Sequence, residues 1–108
     1  MSDFKRIDPD TAAALMQRGA TVVDIRDPQS FDAGHIVTAR RLDNDSLPGF
    51  VASAERQTPL VVCCYHGNSS QPAAAYLASL GFAEVYSLDG GFELWRQAYP
   101  TQISRNDS

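Results

Sequence analysis

The chain has 108 residues and a mass of 11.8 kDa, enough for one domain with a proper core and too little for two. With 44% hydrophobic and 20% charged residues, a wholly disordered chain is excluded. The net charge of -4 and pI near 4.9 have the wrong sign for nucleic-acid phosphates or an anionic membrane surface, so neither is expected as a partner.

The first residues, Met1 to Asp8, lack the apolar run of a secretory signal, and no stretch approaches the roughly 18 to 20 apolar residues of a membrane helix. A cytoplasmic protein is the expectation. Phe4 to Ile7 reads as an edge strand. Asp8-Pro9 places an N-cap residue before a proline in the first helical position, and Ala12, Leu15 and Met16 repeat at helical spacing up to Gly19. Thr21 to Ile25 is a β-branched run, with Asp24 and Arg26 at its carboxyl end and on one side, as an ion pair or loop brace. Ala39 to Leu42 reads as a second edge strand bearing Arg40 and Arg41 as a solvated pair, followed by a helix through Leu47, Phe50 and Val51.

Leu60-Val61-Val62-Cys63 is apolar on consecutive residues, the pattern of a central parallel strand covered on both faces. Ala73, Tyr76, Leu77 and Leu80 mark one face of a helix that ends at Gly81. Glu84 to Leu88 is a further strand, and Phe92, Trp95 and Tyr99 mark the core face of a last helix, with Asp89 as its N-cap and Pro100 as its stop. Thr101 to Ser108 has no apolar pattern and reads as a flexible tail, leaving residues 1–100 as a single domain. Strand and helix in alternation predict an α/β fold.

The two cysteines, Cys63 and Cys64, are neighbours, which excludes a disulfide framework and lacks the spacing of a zinc site. In parallel α/β sheets ligands gather outside the carboxyl ends of strands, and the central strand delivers Cys64 there. The polar connection Cys64-Tyr65-His66-Gly67-Asn68-Ser69-Ser70 leads into a helix. Its backbone N–H groups, at Tyr65, His66, Gly67, Asn68 and Ser69, can form an anion-binding nest around the sulfur, with the Ser69 hydroxyl as a further donor. A thiol so placed has a lowered pKa and a larger share of nucleophilic thiolate. Cys63, one residue back, points to the opposite face and belongs to the core. On these features alone Cys64 is either a nucleophile or a second buried small residue at a strand end.

The loop Cys64-Tyr65-His66-Gly67-Asn68-Ser69 resembles the rhodanese active-site loop, C-x-x-G-x-[ST], after an apolar strand. Val23-Asp24-Ile25-Arg26 followed by Phe31, Gly34-His35-Ile36 and Ala39 is similar to that family's N-terminal signature. Leu88-Asp89-Gly90-Gly91-Phe92 with Trp95 is similar to its C-terminal one. The matches fall in family order from Val22 to Trp95, and their wording looks like that of the small single-domain thiosulfate sulfurtransferases. The resemblance implies a three-layer α/β/α domain on a five-stranded parallel sheet, with the cysteine cradled after the fourth strand. It also implies a double displacement: Cys64 takes the outer sulfur of thiosulfate, sulfite leaves, and the persulfide passes its sulfur to cyanide or to a thiol such as a reduced thioredoxin. The reaction calls for no cofactor and no metal, and the protein is expected as a monomer or weak homodimer.

Members of the family often carry Arg or Lys in the loop; here His66 is the one residue there that can become cationic. Thiosulfate binding is therefore expected to be weak and to rest on the local N–H groups. His66 is read as a solvated side chain, and His35 as part of a structural turn. A cysteine-based phosphatase or arsenate reductase needs Arg six positions after the cysteine, where this chain has Ser70. Non-enzymatic rhodanese-like modules often lack the cysteine, which this chain keeps. An alternative that stays open is a persulfide relay that takes sulfur from a partner protein rather than from thiosulfate.

Overall fold

The computed structural model describes residues 3–106. In chain order it contains β1 (Lys5–Ile7), α1 (Pro9–Gln17), β2 (Thr21–Asp24), α2 (Pro28–Ala33), β3 (His35–Ile36), β4 (Arg40–Arg41), α3 (Leu47–Ser53), β5 (Leu60–Cys63), α4 (Ser70–Ser79), β6 (Val85–Leu88), α5 (Gly91–Ala98) and β7 (Ile103–Ser104). Five strands form a parallel sheet in the order β1-β6-β5-β2-β4. The two edges are the short strands expected at Phe4–Ile7 and Ala39–Leu42.

Side-chain alternation on the central strands builds two cores. Val22, Val61 and Cys63 pack with Ala12 of α1 and with Phe92 and Trp95 of α5. Val23, Leu60 and Val62 pack with Phe50 of α3 and with Ala74 and Leu77 of α4. Helices therefore cover both faces, giving three layers, and every residue of β5 is buried. This is why its sequence is apolar without alternation.

The helix caps follow local chemistry. Asp8 Oδ1 accepts the Thr11 N–H at 2.8 Å and starts α1. The same Asp-Pro pair recurs at Asp27-Pro28 and starts α2, where Asp27 Oδ2 accepts the Ser30 N–H at 3.0 Å.

Four local expectations differ from the structure. The buried stripe of α4 runs Ser70, Ala74, Leu77, at spacings of four and three residues, so Tyr76 stands outside it and is exposed. Gly90, not Asp89, is the N-cap of α5, because Asp89 turns to an ion pair with Arg6 at 2.8 Å. Arg41 is half-buried rather than solvated: it donates to the Arg26 carbonyl at 3.2 Å and pairs with Asp43. Residues 101–106 are not a free tail. Ile103–Ser104 pairs antiparallel with β3, and the Trp95 indole donates to the Gln102 carbonyl at 3.2 Å. Ile103 is the one apolar residue of this short strand, and its partner is far away in the sequence, so no local pattern marks it. The ends of the expected domain and tail, positions 1–2 and 107–108, lie outside the described residues.

The sheet order places the site. After β2 the chain moves to β4, on one side, whereas after β5 it moves to β6, on the other. The outgoing loops diverge between β2 and β5, where the carboxyl ends Asp24 and Cys63 lie in register. A crevice at such a reversal is where α/β sheets bind ligands.

Candidate active site

At the end of β5 the chain turns into the 64–69 loop and enters α4 at Ser70. Cys64 Sγ accepts the Gly67 N–H at 3.1 Å and the Ser70 N–H at 3.2 Å. Ser70 Oγ lies 3.2 Å from the same sulfur and 2.7 Å from Ser87 Oγ on β6. Ser69, at the N-cap position of α4, makes no side-chain cap. The sulfur stands in for the capping oxygen, accepting the first N–H of the helix. Gln71 N–H turns to the Asn68 carbonyl at 3.2 Å, and Pro72 has no N–H to satisfy. Above the sulfur is a hollow of about 100 Å³ lined by Cys64, Tyr65, His66, Asn68 and Ser69, the scale of a small anion.

Two glycines let the loop adopt this shape. Gly67 has φ +89°, and a Cβ there would sit 2.8 Å from the Gly90 nitrogen; a Cβ on Gly91 would sit 2.5 Å from the Cys64 carbonyl oxygen. The loop thus lies directly on the start of α5, whose Phe92 and Glu93 N–H groups donate to the Cys64 and Tyr65 carbonyls at 2.8 and 3.2 Å. Helix N-terminal donors that would otherwise need water hold the loop by its backbone.

A buried ion pair braces the neighbouring strand end. Arg26 donates to Asp24 through Nε at 3.0 Å and through its terminal NH2 group at 2.7 Å, and from that same group to the Gly34 carbonyl at 2.7 Å. Both side chains are nearly fully buried. The guanidinium also lies 4.3 Å from the Phe92 ring centre. Outside it, the Tyr65 hydroxyl donates to Asp27 Oδ1, tying the loop to the start of α2.

The two cysteines have opposite electrostatics. Burial pushes the Cys64 thiol up, but the Ser70 hydroxyl and the N–H groups of Ser70, Gly67 and His66 outweigh it and hold the thiol below its ordinary value. Cys63 has no such donors: burial and the nearby Asp24 carboxylate push its thiol well above the ordinary range. Asp27 is held far below the usual carboxylate range by the Tyr65 hydroxyl and by Ser30.

Of the residues expected around the sulfur, Gly67 points its N–H at Sγ, and Tyr65, His66, Asn68 and Ser69 line the hollow. The expected Ser69 hydroxyl contact is made by Ser70 instead: a helical residue directs its side chain back toward the helix N-terminus, where the sulfur lies. The position where a phosphatase would carry its arginine thus holds a hydroxyl aimed back at the cysteine. His35 is structural, buried, stacked on Phe31 at 3.8 Å and donating through Nδ1 to the Phe31 carbonyl at 2.7 Å. Ser87 and Asp27 were not singled out from sequence; the Asp-Pro signal could have found Asp27, whereas nothing local marks Ser87. Among the described residues no group of three or more His, Cys, Asp or Glu is placed to hold a metal ion, and no helix is long and apolar enough to cross a membrane.

Comparison with known proteins points one way. The rhodanese-like domain family model matches residues 8–98. The thiosulfate sulfurtransferase GlpE of Stutzerimonas stutzeri (strain A1501) is 60% identical over 107 residues, covering 99% of this chain and 98% of that protein. The thiosulfate sulfurtransferase GlpE of Ectopseudomonas mendocina (strain ymp) is 62% identical over 105 residues, covering 97% and 96%. Among solved structures, the rhodanese-like domain of the Anabaena Alr3790 protein superposes with a TM-score of 0.79 at 23% identity, covering 95% of this chain and 80% of that one. A rhodanese-like domain protein from Staphylococcus aureus gives 0.73 at 22%, covering 85% and 91%. At these identities the solved structures speak to the fold alone.

Proposed function

The chain belongs to the rhodanese-like domain family, and from that membership we infer that it is a thiosulfate sulfurtransferase, with Cys64 as its nucleophile and sulfur carrier. The observation that carries this reading is the sulfur itself, seated under a small hollow and accepting two backbone N–H groups and facing one hydroxyl. The names of its full-length relatives support the substrate.

In the first half-reaction the Cys64 thiolate attacks the outer sulfur of thiosulfate. The Cys64 S–S bond forms, the S–S bond of thiosulfate breaks, and sulfite leaves with the electron pair. Charge then resides on the outer sulfur of the persulfide, within the hollow. The fixed donors around Sγ stabilise Cys64 as the attacking thiolate, and again as the thiolate that departs in the second half-reaction, without having to reorganise. In the second half-reaction cyanide or a thiol, such as that of a reduced thioredoxin, attacks the outer sulfur, and Cys64 returns to thiolate. Tyr65, His66, Gly67, Asn68 and Ser69 are assigned to substrate binding, Gly67 through its backbone and the others as walls of the hollow. A thiol that must be free at the start of each cycle favours a reducing compartment, hence the cytoplasm. A monomer or weak homodimer is part of the same proposal.

Intact mass tests the reading. Wild-type protein, Cys64→Ser and Cys63→Ser are treated with thiosulfate, freed of excess reagent and weighed with and without a dithiol. Wild type and Cys63→Ser gain one sulfur that the dithiol removes, and Cys64→Ser gains none. Absence of sulfur on every variant refutes thiosulfate as donor and turns the search to protein persulfides.

A further inference from the structure

Behind the sulfur stand two hydroxyls cut off from water. Ser70 Oγ is 3.2 Å from Cys64 Sγ and 2.7 Å from Ser87 Oγ, and both serines are 0% exposed. Ser87 is fixed by the sheet, opposite Val62 on β5 and Arg6 on β1. Among the described residues its hydroxyl has a side-chain hydrogen bond with Ser70 and no other. A buried hydroxyl hydrogen needs an acceptor, so Ser87 donates to Ser70. Ser70 then has its own hydrogen left for the sulfur.

We propose that Ser87 is a positioning residue for sulfur transfer, acting through Ser70 to hold Cys64 as the thiolate. The physical basis is a count of hydrogens. The row from Sγ through Ser70 Oγ to Ser87 Oγ has two links. The thiolate form contains two hydrogens, one per link, both running toward the sulfur. The thiol form contains three: either Ser87 is stranded without an acceptor, or the S–H turns into the hollow and the Ser70 hydroxyl meets a neutral, weakly accepting sulfur. Only the ionised cysteine satisfies the whole row, and each donor in it strengthens the next. This deepens the reading of Cys64 as persulfide carrier and rests on it: the same row receives the charge when Cys64 leaves as thiolate in the second half-reaction.

The other charged or titratable groups on the elements framing the loop are Tyr65 and His66 on the loop, Cys63 on β5, and Asp24, Arg26 and Asp27 at and beyond the end of β2. To these are added Arg6 on β1, opposite Ser87 and paired with Asp89, Tyr76 on α4, Tyr86 on β6, and Glu93 and Arg96 on α5. None of them has a side-chain hydrogen bond to the Cys64 sulfur. They are common to all the variants compared, so a difference among variants isolates the two serines.

The test is the pH profile of Cys64 alkylation by iodoacetamide, followed by mass with the site assigned on peptides, for wild type, Ser70→Ala, Ser87→Ala and the double variant. Thermal unfolding confirms that each is folded. Ser70→Ala is expected to raise the alkylation midpoint by about one pH unit, and Ser87→Ala by roughly a third of that. In the Ser70→Ala background, Ser87→Ala is expected to add no shift. An unchanged or lowered midpoint in Ser87→Ala overturns the proposal, as does a rise that persists when Ser70 is absent. Alkylation uses no sulfur donor, so this result is independent of whether thiosulfate loads Cys64, which the mass measurement decides separately.

Discussion

Cys63 and Cys64 are the same amino acid one position apart, and the sheet gives them opposite chemistry. Cys63 packs under α1 and α5 with its thiol pushed up by burial; Cys64 opens the loop after the strand and collects donors. Iodoacetamide at about pH 8 is therefore expected to label Cys64 alone in the folded protein and both cysteines after denaturation, read by peptide mass. Labelling of Cys63 in the native state would contradict its placement. The lowered Cys64 thiol also has a consequence for stability. Between its folded value and the ordinary thiol value near 8.5 the unfolded chain binds more protons, so stability rises with pH across that window. The contribution is lost as pH falls through the folded value, and urea unfolding of Cys64→Ser should lack that rise. A further prediction concerns Asp24. Substituting Asp24→Asn leaves Arg26, 5% exposed, with a buried charge and no counter-charge, expected to cost about 3–5 kcal/mol in urea unfolding; a loss below about 1 kcal/mol would place the pair among weak surface bridges. Cys64 was legible because a strand, a polar loop and a helix announce it within a few residues. The sequence shows Ser70 as the last residue of the polar connection, in the place of a phosphatase arginine, but not its contact with the sulfur, since a side chain's backward direction at a helix start is not visible in residue order. Ser87 is 23 positions from the cysteine in sequence, and only the β5–β6 pairing brings it near.

At the scale of elements, the sulfur loop owes its shape to what lies beneath it. The Gly90-Gly91 pair starts α5 directly against the loop backbone, and Gly67 crosses Gly90 with no space for a side chain. Gly67→Ala places a Cβ 2.8 Å from backbone at φ +89°, so the loop has to move. Displacing a reacting atom by about 1 Å costs on the order of 100-fold in rate. Gly67→Ala is thus expected to keep its circular dichroism and lose sulfur uptake by about that factor; uptake within about 3-fold of wild type would mean that the loop tolerates another path. The signature Leu88-Asp89-Gly90-Gly91-Phe92 was legible as a family match, while its physical reason, backbone contact with a loop more than twenty residues earlier, needed the structure. The β3–β7 pair was not legible: Ile103 and Ile36 are the one apolar residue of each strand, and 67 positions separate them in the sequence. Its contribution is testable. Ending the chain at Gln102 removes β7 while keeping the carbonyl that accepts from Trp95, and uncovers the Ile36 and Gly34 region against which Ile103 packs. The expected loss is about 1–3 kcal/mol in urea unfolding, in line with burial of one aliphatic side chain. No loss would show that residues 103–106 contribute nothing to the folded state.

For the whole molecule, the consecutive apolar run of β5 was enough to predict a parallel sheet covered on both faces, and the divergence of the β2 and β5 loops turned that prediction into a location. Charge acts at the same scale and in the opposite direction to the site. The fixed donors at Cys64 attract an anion at contact, yet the chain carries a net charge of -4, and at a distance the molecule repels a dianion. Arg26, the cation at the strand end beside the site, is already neutralised by Asp24, so little local charge opposes the repulsion. Salt shortens the reach of that repulsion, from a Debye length of about 30 Å at 0.01 M to about 8 Å at 0.15 M, and leaves hydrogen bonds at contact almost untouched. The second-order rate of sulfur uptake from thiosulfate is therefore expected to rise by about 2- to 5-fold over that range, measured by quenched mass spectrometry at subsaturating thiosulfate. Neutral iodoacetamide reacting with the same thiol should show no such rise. A rate that falls with salt for thiosulfate alone would mean that a local cation, His66 foremost, steers the substrate after all, and the His66→Gln variant would then remove the dependence.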